Sequence, residues 1–116
     1  MQVAYVGGPY RDSRGDYYVT QNIERAKYVS VELWRKGYAV ICPHCNTAYF
    51  SGALSDEADF LDGGLELLSR CDLLVVIDGW QKSQGTKAEI QMAHQKGIPV
   101  YYWPNLSTPY PSIDVG

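Results

Sequence analysis

Four short apolar runs that do not alternate with polar residues constrain this chain most: Val3-Ala4-Tyr5-Val6, Tyr38-Ala39-Val40-Ile41-Cys42, Leu73-Leu74-Val75-Val76-Ile77 and Val100-Tyr101-Tyr102-Trp103. Runs of this length, rich in β-branched or aromatic residues and bounded by Gly, Pro or Asp, read as strands buried on both faces. Between them the periodicity is helical. Val19, Ile23, Ala26, Ser30 and Leu33 step by four and three and stop at Lys36-Gly37, as a helix C-terminus does. Leu61, Leu65 and Leu68 repeat the spacing, and a third helix is expected from Thr86 to Lys96, closed by Gly97 and Pro99. Alternating strand and helix predict an α/β domain, a parallel sheet with helices on both faces joined by right-handed crossovers. Four strands are visible, and a short fifth is expected near Ser112-Ile113-Asp114-Val115.

A chain of 116 residues is one domain's worth and leaves no room for a separate cofactor domain. The only shift in composition is the Pro/Tyr-rich end, so the chain divides into a domain over 1–103 and a tail over 104–116. Ten basic against thirteen acidic residues give a net charge of -3, which is no footprint for polymeric nucleic acid or an anionic membrane. No stretch approaches the roughly 18 to 20 apolar residues of a membrane span. Met1-Gln2-Val3-Ala4-Tyr5 lacks the basic start of a leader, and three cysteines, an odd number, fit a reducing compartment. The expected location is cytoplasmic.

In a parallel sheet, ligands bind where loops leave the carboxyl ends of the strands. Three loops qualify. The first, GGPYRDSRG, follows the first strand: Gly7 and Gly8 allow close backbone approach, and Arg11 or Arg14 can meet an anion. It is no dinucleotide fingerprint, because the third glycine is misplaced and Pro9 removes a donor. The second begins Cys42-Pro43-His44-Cys45. Its CxxC invites a thiol-redox reading, but Asn46 to Gly52 shows no helical period, so the helix that would activate the first thiol is missing. A metal would need a second ligand pair, and only Cys71 and His94 remain, so no metal is expected. The third loop, Asp78 to Gly85, carries Trp80 and places Ser83 and Gly85 just ahead of a helix N-terminus, where an anion is favoured. Thr86 and Glu89 fit a capping box, with Thr86 at N-cap and Glu89 at N3; a carboxylate there also projects into the cleft above the sheet.

Taken together, YVGGPYR at 5–11, LWRKGYAV at 33–40, PHCNTAYF at 43–50 and FLDGGLELLSRCDLLVVIDGWQKSQGTKAE at 60–89 resemble the nucleoside 2-deoxyribosyltransferase-like superfamily. Within it the chain resembles the small DUF4406-type phage and bacterial proteins, relatives of the 2'-deoxynucleoside 5'-phosphate N-hydrolases. The resemblance covers residues 5–102. It implies a three-layer Rossmann-like, flavodoxin-like sandwich with a four- to five-stranded parallel sheet. It also implies cofactor-free chemistry at the N-glycosidic bond of a deoxynucleoside or its 5'-monophosphate, with Glu89 as nucleophile. The monophosphate hydrolases carry a phosphate-binding serine six residues before that glutamate, and Ser83 stands at this spacing. Arg11 and His44 fall at phosphate-side and pocket positions. Gly7, Gly8, Pro9, Tyr10, Asn46, Trp80 and Gly85 complete the expected ligand contacts. The implied partner is a small nucleotide, and a homodimer or higher homo-oligomer is expected to close the pocket.

The chain departs from this pattern at one position. Relatives commonly carry an acid eight residues before the aspartate that opens the third strand, and here that position is Gly64. Asp62 lies about 200° around a helix from it, so Asp62 or Asp59 replaces the acid only if Gly63-Gly64 breaks the helix. Asp72 is expected to cap its strand or orient a loop, with the acid role as the alternative. Without an acid, the chain reads instead as a nucleotide-binding module with little or no turnover.

Overall fold

The computed structural model describes residues 1–46 and 57–109, with only the backbone described for Asn46 and for 57–60. The expected fifth strand and the end of the tail lie outside these residues. Strand β1 (Val3–Gly7) leads into helix α1 (Asp16–Arg35), strand β2 (Ala39–Ile41) and one helical turn, α2 (Pro43–Asn46). Helix α3 (Glu57–Leu68), strand β3 (Leu73–Val76), a 3-10 turn (Trp80–Lys82), helix α4 (Gln84–Lys96) and strand β4 (Val100–Tyr102) follow. The α/β alternation expected from the sequence is therefore present.

The four strands form one parallel sheet in the order β2-β1-β3-β4. The β1–β3 register pairs Ala4 with Leu73 and Gly7 with Val76. Because side chains alternate along a strand, β1 feeds two cores. Ala4 and Val6 join Ala26, Val29 and Leu33 of α1 on one side. Tyr5 joins Leu68 of α3 and Ile90 and Ala93 of α4 on the other. The start of the tail returns to the α1 side, where Leu106 packs against the core.

Helix α4 closes as its sequence demands. Gly97 stands at the C-cap with φ 72, a left-handed conformation that a side chain disfavours, and its N–H reaches the carbonyls of Ala93 and His94. At the other end the sequence reading needs correction. The N-cap is Ser83, not Thr86, and its Oγ accepts from Thr86 N at 3.2 Å. Gly85 lies inside the first turn rather than ahead of it. The shift of three residues leaves Glu89 with no capping role and places it two turns into the helix.

Candidate functional site

The chain leaves β1 toward β2 on one side and reaches β3 on the other, so the direction of winding reverses between β1 and β3. That reversal opens a crevice at the carboxyl ends of the two strands. Thr86, Ile90 and Ala93 of α4 are buried against the sheet, and Glu89 shares their face. Its carboxyl lies directly over the end of β1: a Cβ on Gly7 would stand 3.0 Å from Glu89 Oε1 and 3.3 Å from Leu74 Cδ1. Only a glycine leaves that space open.

Burial pushes the Glu89 carboxyl up from its ordinary 4.5 to about 7. Across from it stands Tyr5, fully buried in the middle of β1. Each group perturbs the other: the hydroxyl pulls the carboxyl pKa down, while burial and the carboxyl push the Tyr5 pKa far up. Yet Tyr5 Oη completes no hydrogen bond of good geometry, so the pair faces at close range without locking. On the far side of the hydroxyl lies Gly64, where a Cβ would come within 2.8 Å of Tyr5 Oη. Position 64, where the resemblance led to the expectation of an acid, is thus a position whose side-chain space the Tyr5 hydroxyl fills. Composition and spacing did not single out Tyr5; the available signal was a tyrosine amid a buried strand, since a buried phenol needs a polar neighbour.

The loop after β1 is held from inside by two side chains. His44 Nε2 donates to the Pro9 carbonyl at 2.9 Å, and Asn22 Nδ2 of α1 donates to the Tyr10 carbonyl at 3.0 Å. His44 is 7% exposed and meets the Tyr10 ring edge-on at 5.4 Å. Burial lowers its pKa and so favours the neutral ring. His44 therefore positions the loop, and its Nδ1 has no partner. Gly8 backs onto Ile77, where a Cβ would stand 3.0 Å from the Ile77 Cβ. Arg11 of this loop is exposed. Arg14 is committed to Asp12 through contacts of 2.9 and 2.7 Å and lies over the Tyr18 ring, which removes it from the two arginines considered for an anion.

Two expected acids are not in the crevice. Asp72 stands at the amino end of β3, where its Oδ2 accepts from Val3 N at 2.7 Å, and it is corrected from catalytic candidate to strand cap. Asp62 is exposed on α3, and that helix runs unbroken from Glu57 to Leu68, so Gly63-Gly64 does not turn Asp62 inward. The Asp59 and Asn46 side chains lie outside the described residues. Trp80, half-buried at the end of β3, packs on Tyr102 with ring centroids 5.4 Å apart. Ser83 Oγ also accepts from Thr86 Oγ1 at 2.9 Å, which leaves its own hydrogen for a ligand at the start of α4. Among the described residues no group of three or more His, Cys, Asp or Glu side chains gathers as a metal site, and no helix is long and apolar enough to cross a membrane.

A family model described as a domain of unknown function, DUF7768, matches residues 2–103. This family, not DUF4406, accounts for the sequence. No protein of curated function matches the chain. Among solved structures, the 2-deoxyribosyltransferase of the psychrotolerant bacterium Bacillus psychrosaccharolyticus superposes with a TM-score of 0.58 at 19% identity, over 86% of this chain and 70% of that one. A conserved protein from Enterococcus faecalis V583 superposes with a TM-score of 0.59 at 27% identity, over 88% of this chain and 62% of that one. The fold is of the nucleoside deoxyribosyltransferase-like, Rossmann type.

Proposed function

We propose, for a chain that belongs to the DUF7768 family, cleavage of the N-glycosidic bond of a 2'-deoxynucleoside 5'-monophosphate with Glu89 as the nucleophile. One observation carries the reading: a desolvated carboxyl lies over a bare glycine at the winding reversal of a parallel sheet. The fold it shares with a deoxyribosyltransferase agrees with this chemistry.

As a carboxylate, Glu89 attacks the anomeric carbon of a sugar lying over Gly7, and the C–N bonding pair leaves with the base. A glycosyl ester results. Water attacks its anomeric carbon, gives up a proton to solvent, frees the sugar phosphate and returns the carboxylate. Tyr5 Oη faces the carboxyl and steadies its charge before attack and again once hydrolysis of the ester returns the carboxylate. The phosphate sits at the N-terminus of α4, taking the Ser83 hydroxyl hydrogen and Arg11. Position 64 offers the base no proton, so the leaving base takes one from solvent. A second copy of the chain closes the pocket beside the exposed Leu61, which borders Gly85.

Incubation with a panel of deoxynucleoside monophosphates, followed by chromatography for free base, tests this reading. Base release that Glu89→Gln abolishes is expected. No release from any substrate removes it. Gly64 favours a second reading, a nucleotide-binding module without turnover. That module predicts a ligand-induced rise in melting temperature, lost in Ser83→Ala/Arg11→Ala, with no base released. Light scattering that gives a monomer at working concentration removes the shared pocket.

A further inference from the structure

The thiols of Cys42 and Cys45 lie apart from the glycosidic chemistry, and they are placed against each other. Cys42 Sγ stands 2.9 Å from Cys45 Sγ, well inside the ordinary contact distance of two sulfurs and approaching the roughly 2.05 Å of a disulfide. Cys42 precedes α2 and Cys45 lies in its single turn, where Cys45 N donates to the Cys42 carbonyl at 3.0 Å. Cys42 is buried and Cys45 exposed. One thiol is thus open to a reagent, and the other waits behind it. Cys71, the third free thiol, hydrogen-bonds to the Leu67 carbonyl on the α3 side. His44 lies between the two close cysteines in sequence and holds the Pro9 carbonyl of the substrate loop.

We infer that Cys42 and Cys45 form a reversible disulfide with each other, oxidised by a low-molecular-weight disulfide such as oxidised glutathione, and that its closure is transmitted through His44 to the loop at 8–11. Cys45 Sγ attacks one sulfur of glutathione disulfide, forming a mixed disulfide and releasing one glutathione. Cys42 Sγ then attacks the Cys45 sulfur, forming the protein disulfide and releasing a second glutathione. The protein loses two electrons and two protons, and glutathione disulfide gains them. Burial and the neighbouring Cys42 thiol push Cys45 up to about 12, so little thiolate is present at neutral pH and closure is slow. A pair of this kind is a latch, not an oxidoreductase.

The test is to equilibrate the intact protein with oxidised glutathione at pH 8, quench in acid, and count thiols in denaturant after alkylation. The expected result is one free thiol, at Cys71, and a mass loss of two hydrogens with a peptide joining Cys42 to Cys45. Cys71→Ser closes equally well, and Cys45→Ser does not close. Three remaining thiols, a glutathione adduct that persists on Cys45, or a bridge to Cys71 each overturn the site. In the same samples, two-dimensional NMR follows the Gly8, Tyr10 and Arg11 amides. They shift on oxidation of the wild type and stay in place in Cys45→Ser treated alike. A disulfide that leaves those amides unmoved overturns the transmission through His44.

Discussion

The paired strands β1 and β3 carry a carboxyl group near each end. At the amino end, Asp72 is exposed, accepts the Val3 N–H at 2.7 Å and donates its own N–H to the Val3 carbonyl. At the carboxyl end, Glu89 is half-buried over Gly7 and faces a phenol that completes no hydrogen bond to it. The first group is satisfied by backbone and keeps an ordinary role. The second is raised to about 7 because its burial outweighs the opposing pull of the Tyr5 hydroxyl. The difference teaches that burial at the end of the sheet, more than residue type, decides which carboxyl is left for chemistry.

The largest expected effect breaks the comparison at Glu89. Glu89→Gln lowers base release on the order of 10³-fold or more. The same variant gains stability at neutral and alkaline pH. Below 4.5 the side chain is protonated folded and unfolded alike; between 4.5 and about 7 the unfolded chain ionises while the folded one holds its proton. Wild-type stability therefore falls across that window and levels off above it, a penalty on the order of 3 kcal/mol that glutamine escapes. Melting curves of the two proteins that run parallel from pH 4 to 8 contradict this.

Gly64→Ala comes next. Its methyl meets the end of a rigid, fully buried tyrosine at 2.8 Å, so it costs about 1–3 kcal/mol. Tyr5→Phe in the same protein recovers most of the loss, and a double-mutant cycle in urea reads the coupling; additive costs sever Gly64 from Tyr5. Ser83→Ala removes the cap of α4 for about 1 kcal/mol and weakens nucleotide affinity. An unchanged affinity detaches that helix start from the phosphate. Smallest is Asp72→Ala, about 1 kcal/mol or less by denaturation, with base release untouched. A loss of turnover there erases the contrast between the two ends.

The fold was legible because the four apolar runs do not alternate, and a strand that must be buried on both faces admits few architectures. Helix ends were less so. Ser83 and Thr86 are both good cap residues three apart, and local chemistry does not choose between them; the packing of Thr86, Ile90 and Ala93 on the sheet does. The spacing of Glu89 suggested a cap, and its place over the cleft was legible only because it lies on the helix after the third loop, whereas the Tyr5–Gly64 contact joins residues 59 positions apart and leaves no local trace. His44 was marked as a pocket residue, but which carbonyl an imidazole reaches depends on how two separate loops meet. The turn at Pro43–Asn46 is too short to show a period.

The carbonyls of Pro9 and Tyr10, consecutive along the chain, are both tied to the protein's interior by His44 and Asn22. A loop fastened this way has lost its conformational freedom during folding and asks none of it from an arriving ligand. Association should then proceed as the docking of two nearly rigid bodies, with a single kinetic phase and a rate that rises linearly with ligand concentration.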